Sequence, residues 1–154
     1  MPYELVARSS HAWLVADHPG APELGPYRLP DGRDAYDLID DGDTDHLGFT
    51  PRFVRQNGTR LGDLVWSTGS VKIASDRFVA ALTGFDGWKR FTIRAETSRG
   101  VEIPGYSGFA VVPGGTDVFL TSAGQNEAFG VSDDVMAALR DAGATEYKAK
   151  RITT

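Results

Sequence analysis

The chain is a succession of short apolar runs separated by segments rich in Gly, Pro, Asp and Ser, a pattern typical of a protein with many short strands. Two β-prone runs at 3–6 and 12–15 open the chain and predict two strands or a hairpin. Two further runs at 64–66 and 71–74, with a Thr-Gly pair between them, predict two strands joined by a turn.

Two later segments predict short helices that begin at a serine. Ser75 is a favourable N-cap for a helix at 75–83, and Ser132 is one for a helix at 132–142. An aspartate follows each serine, as the helix dipole favours, and apolar residues then recur at helical spacing. A glycine after each helix predicts its C-terminal end.

The two serine-capped helices belong to segments that match each other. Aligning Ser75 with Ser132, an offset of 57 residues, superposes a Ser-Asp pair, two Ala and a Leu, so a strand-helix-strand unit occurs twice. Any junction of strand and helix favours Ser-Asp at the cap and Ala and Leu inside, which is an alternative origin of the match. Both interpretations stay open.

The remaining runs predict more strands. Alternation over 88–95 indicates one half-buried strand, and the runs at 109–112 and 118–120, separated by Pro-Gly-Gly, are expected to pair antiparallel. The chain therefore predicts one α+β domain over residues 1–154, with a mainly antiparallel sheet, two short serine-capped helices and a long acidic loop.

Composition narrows the class of protein. At 154 residues, with 41% hydrophobic and 24% charged residues, the chain is expected to fold around one core. The absence of cysteine excludes disulfides, thiolate metal sites and thiol nucleophiles. No apolar run approaches the roughly 18 to 20 residues of a membrane span, and the N-terminus lacks a secretory signal, so we expect a cytoplasmic protein with no membrane partner.

Charge is concentrated in residues 31–46, which we call the acidic segment. These residues hold seven Asp against one Arg, whereas the whole chain has a formal charge of -5. Asp37, Asp40, Asp41, Asp43 and Asp45 are the candidate contacts to a basic cleft on another protein. The alternative is a solvated loop that maintains solubility. A nucleic-acid partner is not expected, because it requires clustered Lys and Arg.

Residues 129–152 predict a strand, a Val-Ser-Asp cap, an apolar helix, a glycine and a closing strand, in that order. This order resembles bacterial immunity proteins of polymorphic toxin systems, of the myxobacterial type. Residues 73–93 share the resemblance more weakly. It implies that the protein neutralises a cognate toxin by tight, stoichiometric binding through surface residues and that it has no catalytic residues. Nothing in that family's pattern corresponds to the acidic segment.

Motifs for catalysis are absent from the sequence. His11, His18 and His46 are isolated and do not form a helical zinc motif. The Gly-Tyr-Ser-Gly stretch around Ser107 has its second glycine one position too early for a nucleophile elbow, so a turn is expected there. Residues 67–70 lack the spacing and the lysine of a phosphate-binding loop, and no dinucleotide-binding motif occurs.

The acidic segment does not fit the ligand spacing of a calcium-binding loop. With Gly42 at the sixth position of a calcium loop, Asp37 would be the first ligand, but Ile39 would be the third and Gly48 the twelfth. The sequence therefore predicts neither a metal nor a cofactor.

Two hypotheses follow for function. The first is an immunity protein, not an enzyme, whose acidic segment covers the basic cleft of a toxin domain. The alternative is a small enzyme or ligand-binding domain with a site assembled from dispersed residues such as Asp63, Trp66 and Arg94.

Overall fold

The computed structural model of the protein describes residues 2–8, 13–16, 32–55, 60–67, 71–121 and 128–152. The strands in these ranges are β1 Tyr3–Val6, β2 Trp13–Ala16, β3 Arg52–Arg55, β4 Leu64–Ser67, β5 Lys72–Ser75, β6 Trp88–Phe91, β7 Arg94–Glu96, β8 Tyr106–Val111, β9 Val118–Phe119, β10 Phe129–Val131 and β11 Lys148–Arg151. The helices are α1 Ala35–Asp40, α2 Asp76–Ala81 and α3 Asp133–Asp141, with a 3₁₀ turn at Thr44–His46.

The strands form two sheets. A small sheet has the order β11-β1-β10-β9, and all its pairs are antiparallel. A large sheet has the order β6-β8-β5-β4-β2-β3-β7, in which the β2–β4 and β3–β7 pairs are parallel and the others antiparallel. The predicted α+β class with mainly antiparallel pairing is confirmed.

The large sheet curls until its two edges approach each other. Its edge strands, β6 and β7, are joined by Thr92 and Ile93 alone. The three-residue step from Phe91 to Arg94 can span at most about 11 Å. A flat seven-stranded sheet would hold its edges roughly 29 Å apart, so this short link requires strong curvature.

Two cores lie on opposite faces of the large sheet. Leu64 and Ala74, paired across β4 and β5, belong to the first core, and their neighbours Val65 and Ile73 belong to the second. This separation follows from the period-two alternation of side chains along a strand. The first core contains Leu5, Ala7, Leu64, Ala74, Phe78, Val79, Leu82, Phe109, Val111, Val118, Phe129, Val131, Val135, Met136, Leu139, Ala144 and Tyr147. The second contains Leu38, Ile39, Leu47, Phe53, Val65, Val71, Ile73, Phe91, Ile93 and Ala95.

The matching sequence segments have the same strand arrangement. The order β6-β8-β5-β4 in the large sheet repeats the order β11-β1-β10-β9 of the small sheet, with antiparallel pairing throughout. In each array the strands before and after a helix flank a third strand, which is β8 for α2 and β1 for α3. We call the two arrays, each with its helix, the first and second units.

Both predicted N-caps are confirmed, and each serine makes a second contact. The Oγ atoms of Ser75 and Ser132 accept hydrogen bonds from the backbone N–H three residues later, each at 3.3 Å. Ser75 Oγ also donates to Asp63 Oδ1 at 2.6 Å, and Ser132 Oγ donates to Asp117 Oδ1 at 3.2 Å. Asp63 and Asp117 each stand immediately before a strand, β4 and β9 respectively. Each cap therefore links its helix to the strand that follows the aspartate, which is β4 for α2 and β9 for α3.

Of the two alternatives for the opening runs, two separate strands are confirmed, because β1 lies in the small sheet and β2 in the large one. Two other predictions about strands are corrected. The run at 88–95 is two strands on opposite edges of the large sheet, since the chain crosses from one edge to the other at Thr92 and Ile93. The strands β8 and β9 do not pair, because β9 instead lies beside β10 in the small sheet. The predicted pairing of β4 with β5 is confirmed, and the turn residues 68–70 lie outside the described residues.

The two serine caps provide a matched prediction for stability. We expect Ser132→Ala to lower the free energy of unfolding by about 1 kcal/mol, the usual contribution of an N-cap. Ser75→Ala should lower it by about 2 kcal/mol, because it also removes a hydrogen bond to a buried carboxylate. Urea denaturation measures both losses, and Ser75→Thr, which keeps the hydroxyl group, is the control. Equal losses for the two alanine variants would contradict the added role of Ser75.

Candidate functional site

The acidic segment is folded in residues 32–46, where the sequence predicted a loop. It contains α1 and the 3₁₀ turn, with Asp34 before the helix, Asp37 and Asp40 within it and Asp41 after it. Leu38 and Ile39 of α1 and Leu47 after the turn are buried in the second core. The sequence pattern did not predict α1, because the segment is rich in Asp and the apolar residues of α1 cover little more than one helical turn.

The backbone of the segment is held by its own hydrogen bonds. The N–H of Asp41 donates to the carbonyl of Asp37 at 2.9 Å, and the N–H of Asp43 donates to the carbonyl of Leu38 at 2.8 Å. These bonds, with the buried leucine and isoleucine side chains, hold the backbone of the segment in one conformation. Two predicted contact residues, Asp37 and Asp41, are exposed.

Two other predicted contact residues form ion pairs at the surface. Asp45 Oδ2 accepts a hydrogen bond from Lys89 Nζ at 2.6 Å, with 75% of the aspartate side chain exposed. Asp43 lies 4.0 Å from a guanidinium nitrogen of Arg33. Such exposed pairs contribute only about 0 to 1 kcal/mol each, so a charged partner can replace them. The side chain of Asp40 lies outside the described part of the chain.

A polar cleft borders the acidic segment on the side of β6. It has a volume of about 490 Å³, and the residues around it include Thr44, Asp45, Thr50, Arg90, Phe91 and Thr92. The cleft is open to solvent and combines hydroxyl groups, both charge signs and an aromatic ring. These features suit contact with polar or charged side chains of a partner protein.

The dispersed residues of the alternative hypothesis are not brought together. Asp63 precedes β4 and Trp66 lies within it, whereas Arg94 begins β7. Strands β2 and β3 lie between β4 and β7 in the sheet. Asp63 and Arg94 bind different partners, and the Trp66 side chain lies outside the described part of the chain.

Asp63 is the centre of a buried polar network. Its side chain is 2% exposed and accepts hydrogen bonds from Ser75 Oγ, from Arg77 Nε at 2.7 Å and Nη2 at 3.0 Å, and from the N–H of Glu146 at 2.8 Å. Burial alone would raise the pKa of Asp63. The hydrogen bonds from Arg77, Ser75 and Glu146 outweigh burial and lower this pKa below its ordinary value of 3.8.

Arg94 belongs to a separate ionic cluster. Its Nε atom lies 2.5 Å from Glu96 Oε1, while Arg52 Nε and Nη2 lie 2.8 Å and 2.7 Å from Glu96 Oε2. The hydrogen bond from Arg52, helped by the positive charges of both arginines, lowers the pKa of Glu96 despite burial. Sequence reasoning missed Arg52 and Glu96, because 44 residues separate them and no local pattern links the two.

The remaining candidates have structural settings. Ser107 lies in β8, so the expected turn is wrong, and its buried hydroxyl accepts a hydrogen bond from Arg90 Nε at 3.0 Å. The reason is that Gly105 makes the turn, with φ +87°, and Tyr106 already begins the strand. His11 and His18 lie outside the described residues, as does the side chain of His46.

Comparison with known proteins does not assign the chain. No protein-family model matches it, and no curated protein is significantly similar to it. In the part of the chain that the structure describes, no three His, Asp or Glu side chains are grouped so that they could hold a metal ion. No helix in the same ranges is long and apolar enough to cross a membrane.

The Asp63 network predicts a pH dependence of stability. A lowered pKa in the folded state means that ionised Asp63 stabilises the fold fully above its unfolded pKa, and that this contribution is lost as pH falls through the folded pKa. Asp63→Asn should therefore be much less stable than the natural chain at about pH 7, and the difference should shrink below about pH 4. Glu96 is present in both proteins and cancels from the difference.

Urea denaturation at about pH 7 and about pH 3 measures this difference. Asp141→Asn, which removes one exposed carboxylate at the end of α3, is the control for charge. A stability difference between Asp63→Asn and the natural chain that stays constant with pH would contradict the role of the ionised carboxylate.

Proposed function

We propose that this chain is a cytoplasmic immunity protein that binds and neutralises a cognate bacterial toxin domain through its acidic segment. The observation that carries the proposal is the combination of a single charge sign with a packed support. Asp37, Asp41, Asp43 and Asp45 project from a short helix and turn whose leucines and isoleucine are buried in the second core.

The packed support favours binding over a role in solubility alone. A loop that serves only solubility needs charge but no fixed geometry, whereas a binding surface gains affinity when its side chains need little ordering. Leu38, Ile39 and Leu47 fix the backbone that carries the aspartates. The backbone of this surface is therefore already ordered in the folded protein, and association loses little conformational entropy there.

Electrostatics supports a partner with a basic cleft. A cluster of one charge sign accelerates the encounter with an oppositely charged surface and discriminates against like-charged partners. Asp45 can exchange Lys89 for an arginine or lysine of the toxin, because the exposed pair contributes little to stability. A cleft that binds nucleic acid needs clustered Lys and Arg, and covering such a cleft needs no chemistry from the immunity protein.

The position of the gene separates this proposal from the alternative of a small enzyme or ligand-binding domain. A toxin-bearing gene immediately upstream supports the immunity protein, and a metabolic operon supports the alternative. The residues suggested for a site in the enzyme or ligand-binding alternative do not form one cluster, since Asp63 and Arg94 bind different partners.

The proposal predicts the kinetics of toxin binding. The triple variant Asp37→Asn, Asp41→Asn and Asp45→Asn should associate about tenfold more slowly at low salt and show a flatter salt dependence, because steering is lost. Its dissociation rate should change less. Surface plasmon resonance at two salt concentrations, with the toxin domain encoded beside the gene, measures these rates.

A matched control separates the acidic segment from net charge. The variant Asp134→Asn, Asp141→Asn and Glu102→Gln removes three exposed carboxylates outside the segment and changes the net charge equally. It should associate nearly as fast as the natural chain. Equal slowing of both triple variants, or of neither, would remove the acidic segment from the binding surface.

A further inference from the structure

One face of the small sheet lies outside the first core. Leu5 and Phe129, which are register partners in β1 and β10, belong to that core, and the residues that alternate with them lie on the opposite face. Register pairs extend this opposite face across all four strands of the sheet. We call it the outer face, and its residues are Glu4, Val6, Phe119, Gly130, Lys148 and Lys150.

The outer face is partly open to solvent. Lys148 and Lys150 are exposed, and Val6 and Phe119 are half-buried. In the described part of the chain neither of these two apolar residues belongs to a core, and neither lysine forms an ion pair. Glu4 lies opposite Lys150, whereas the apolar Val6 lies opposite Lys148. The face therefore combines apolar surface with a lysine that has no carboxylate across from it.

The first unit has an equivalent face in the large sheet. Ile73 of β5 and Gly130 of β10 are related by the same offset of 57 residues that aligns the two serine caps. From these two residues the register pairs match strand for strand outward to the edge strands β6 and β11. Lys89 of β6 thus occupies the position that Lys148 occupies in β11.

The equivalent face of the first unit is covered by the acidic segment. Ile73 is buried in the second core together with Leu38 and Ile39 of α1, and α1 contacts β8. At the edge of the same face, Lys89 Nζ donates a hydrogen bond to Asp45 Oδ2 at 2.6 Å. The cover therefore supplies apolar side chains to the sheet and a carboxylate to the lysine beside them.

We propose that the outer face is a docking site for a segment of another protein with the chemistry of α1 and its turn, apolar side chains on one side and Asp or Glu beside them. The apolar side chains pack against Val6 and against the ring of Phe119, which lies over Gly130. The carboxylates pair with Lys148 and Lys150, because opposite charges across an interface fix its orientation.

The differences between the two faces explain why this partner is a separate chain. In the outer face, Lys150 occupies the position of Phe91, and Gly130 occupies that of Ile73. Fewer apolar side chains are therefore available for burial, and more of the contact is ionic. Exposed ion pairs contribute only about 0 to 1 kcal/mol each, so this contact is reversible, whereas the cover of the first unit is part of the fold.

A second copy of the chain does not supply this chemistry. Its acidic segment has the complementary charge, but Leu38 and Ile39 are already buried in its own second core. It therefore offers carboxylates without apolar side chains beside them. The outer face is also separate from the acidic segment, so the proposal does not rest on toxin binding.

The probe for the outer face is a synthetic peptide of residues 34–47, the segment that covers the equivalent face. It is titrated into the isotope-labelled natural chain, and a peptide of the same composition in permuted order is the control. We expect saturable NMR shifts of the Val6 methyl groups and of the Lys148 and Lys150 amides. The titration extends to about 2 mM, because a peptide of this length is mostly unfolded in water and binds weakly.

Two sets of variants separate ionic from apolar contact. The double variant Lys148→Gln and Lys150→Gln should weaken peptide binding about fivefold, because it removes both ion pairs. The matched control Arg99→Gln and Arg140→Gln removes two exposed cations elsewhere and should bind nearly as the natural chain does. Val6→Thr keeps the shape of the side chain but adds a hydroxyl group, so it should weaken binding about twofold.

Several outcomes overturn the proposal. It fails if no signal shifts, if the shifts lie at Ile73 instead of the outer face, or if the permuted peptide binds equally well. It also fails if the lysine variant binds no more weakly than its arginine control, or if Val6→Thr binds as the natural chain does. In those cases the lysines only prevent strand addition at the edge of the sheet. Concentration-dependent shifts of the same signals without peptide would assign the face to a second copy and also contradict the proposal.

Discussion

The buried carboxylate of Asp63 is the contact on which the arrangement of the two units depends. It joins the start of β4 to the N-cap of α2 through Ser75, to the first turn of α2 through Arg77, and to the segment before β11 through the N–H of Glu146. Removing these donors would leave a charge buried without partners, which costs several kcal/mol. The side chain of Asp63 therefore links β4, α2 and the second unit.

The second unit makes the same kind of contact with the first unit, through Asp117. Asp117 accepts a hydrogen bond from Ser132 of its own unit and one from the N–H of Asp86, which follows the helix of the first unit. In both directions the aspartate before a strand binds the segment after the other unit's helix. Such reciprocal contacts are typical of parts related by an approximate twofold axis. They bring α2 and α3 together over the first core.

The second core has a different role, because it supports the surface to which we assign toxin binding. Leu38 and Ile39 anchor the acidic segment there, and they share this core with Phe53 and Ala95 of the paired strands β3 and β7. The two units and their reciprocal contacts thus surround the first core on one face of the large sheet, and the second core fills the opposite face. Asp45 of the acidic segment and Arg90 of β6 both border the polar cleft.

The sequence by itself determined the elements whose causes are local. Ser75 and Ser132 were identifiable as N-caps because a cap involves only neighbouring residues, and the acidic segment was visible as composition. Only the tertiary structure decided that residues 88–95 divide between opposite edges of a sheet, that the acidic segment contains a buried helix, and that Glu96 lies between two arginines. These features depend on which strands become neighbours. Strand order is set by the packing of the whole chain, and the alternation of residues within one strand does not encode it.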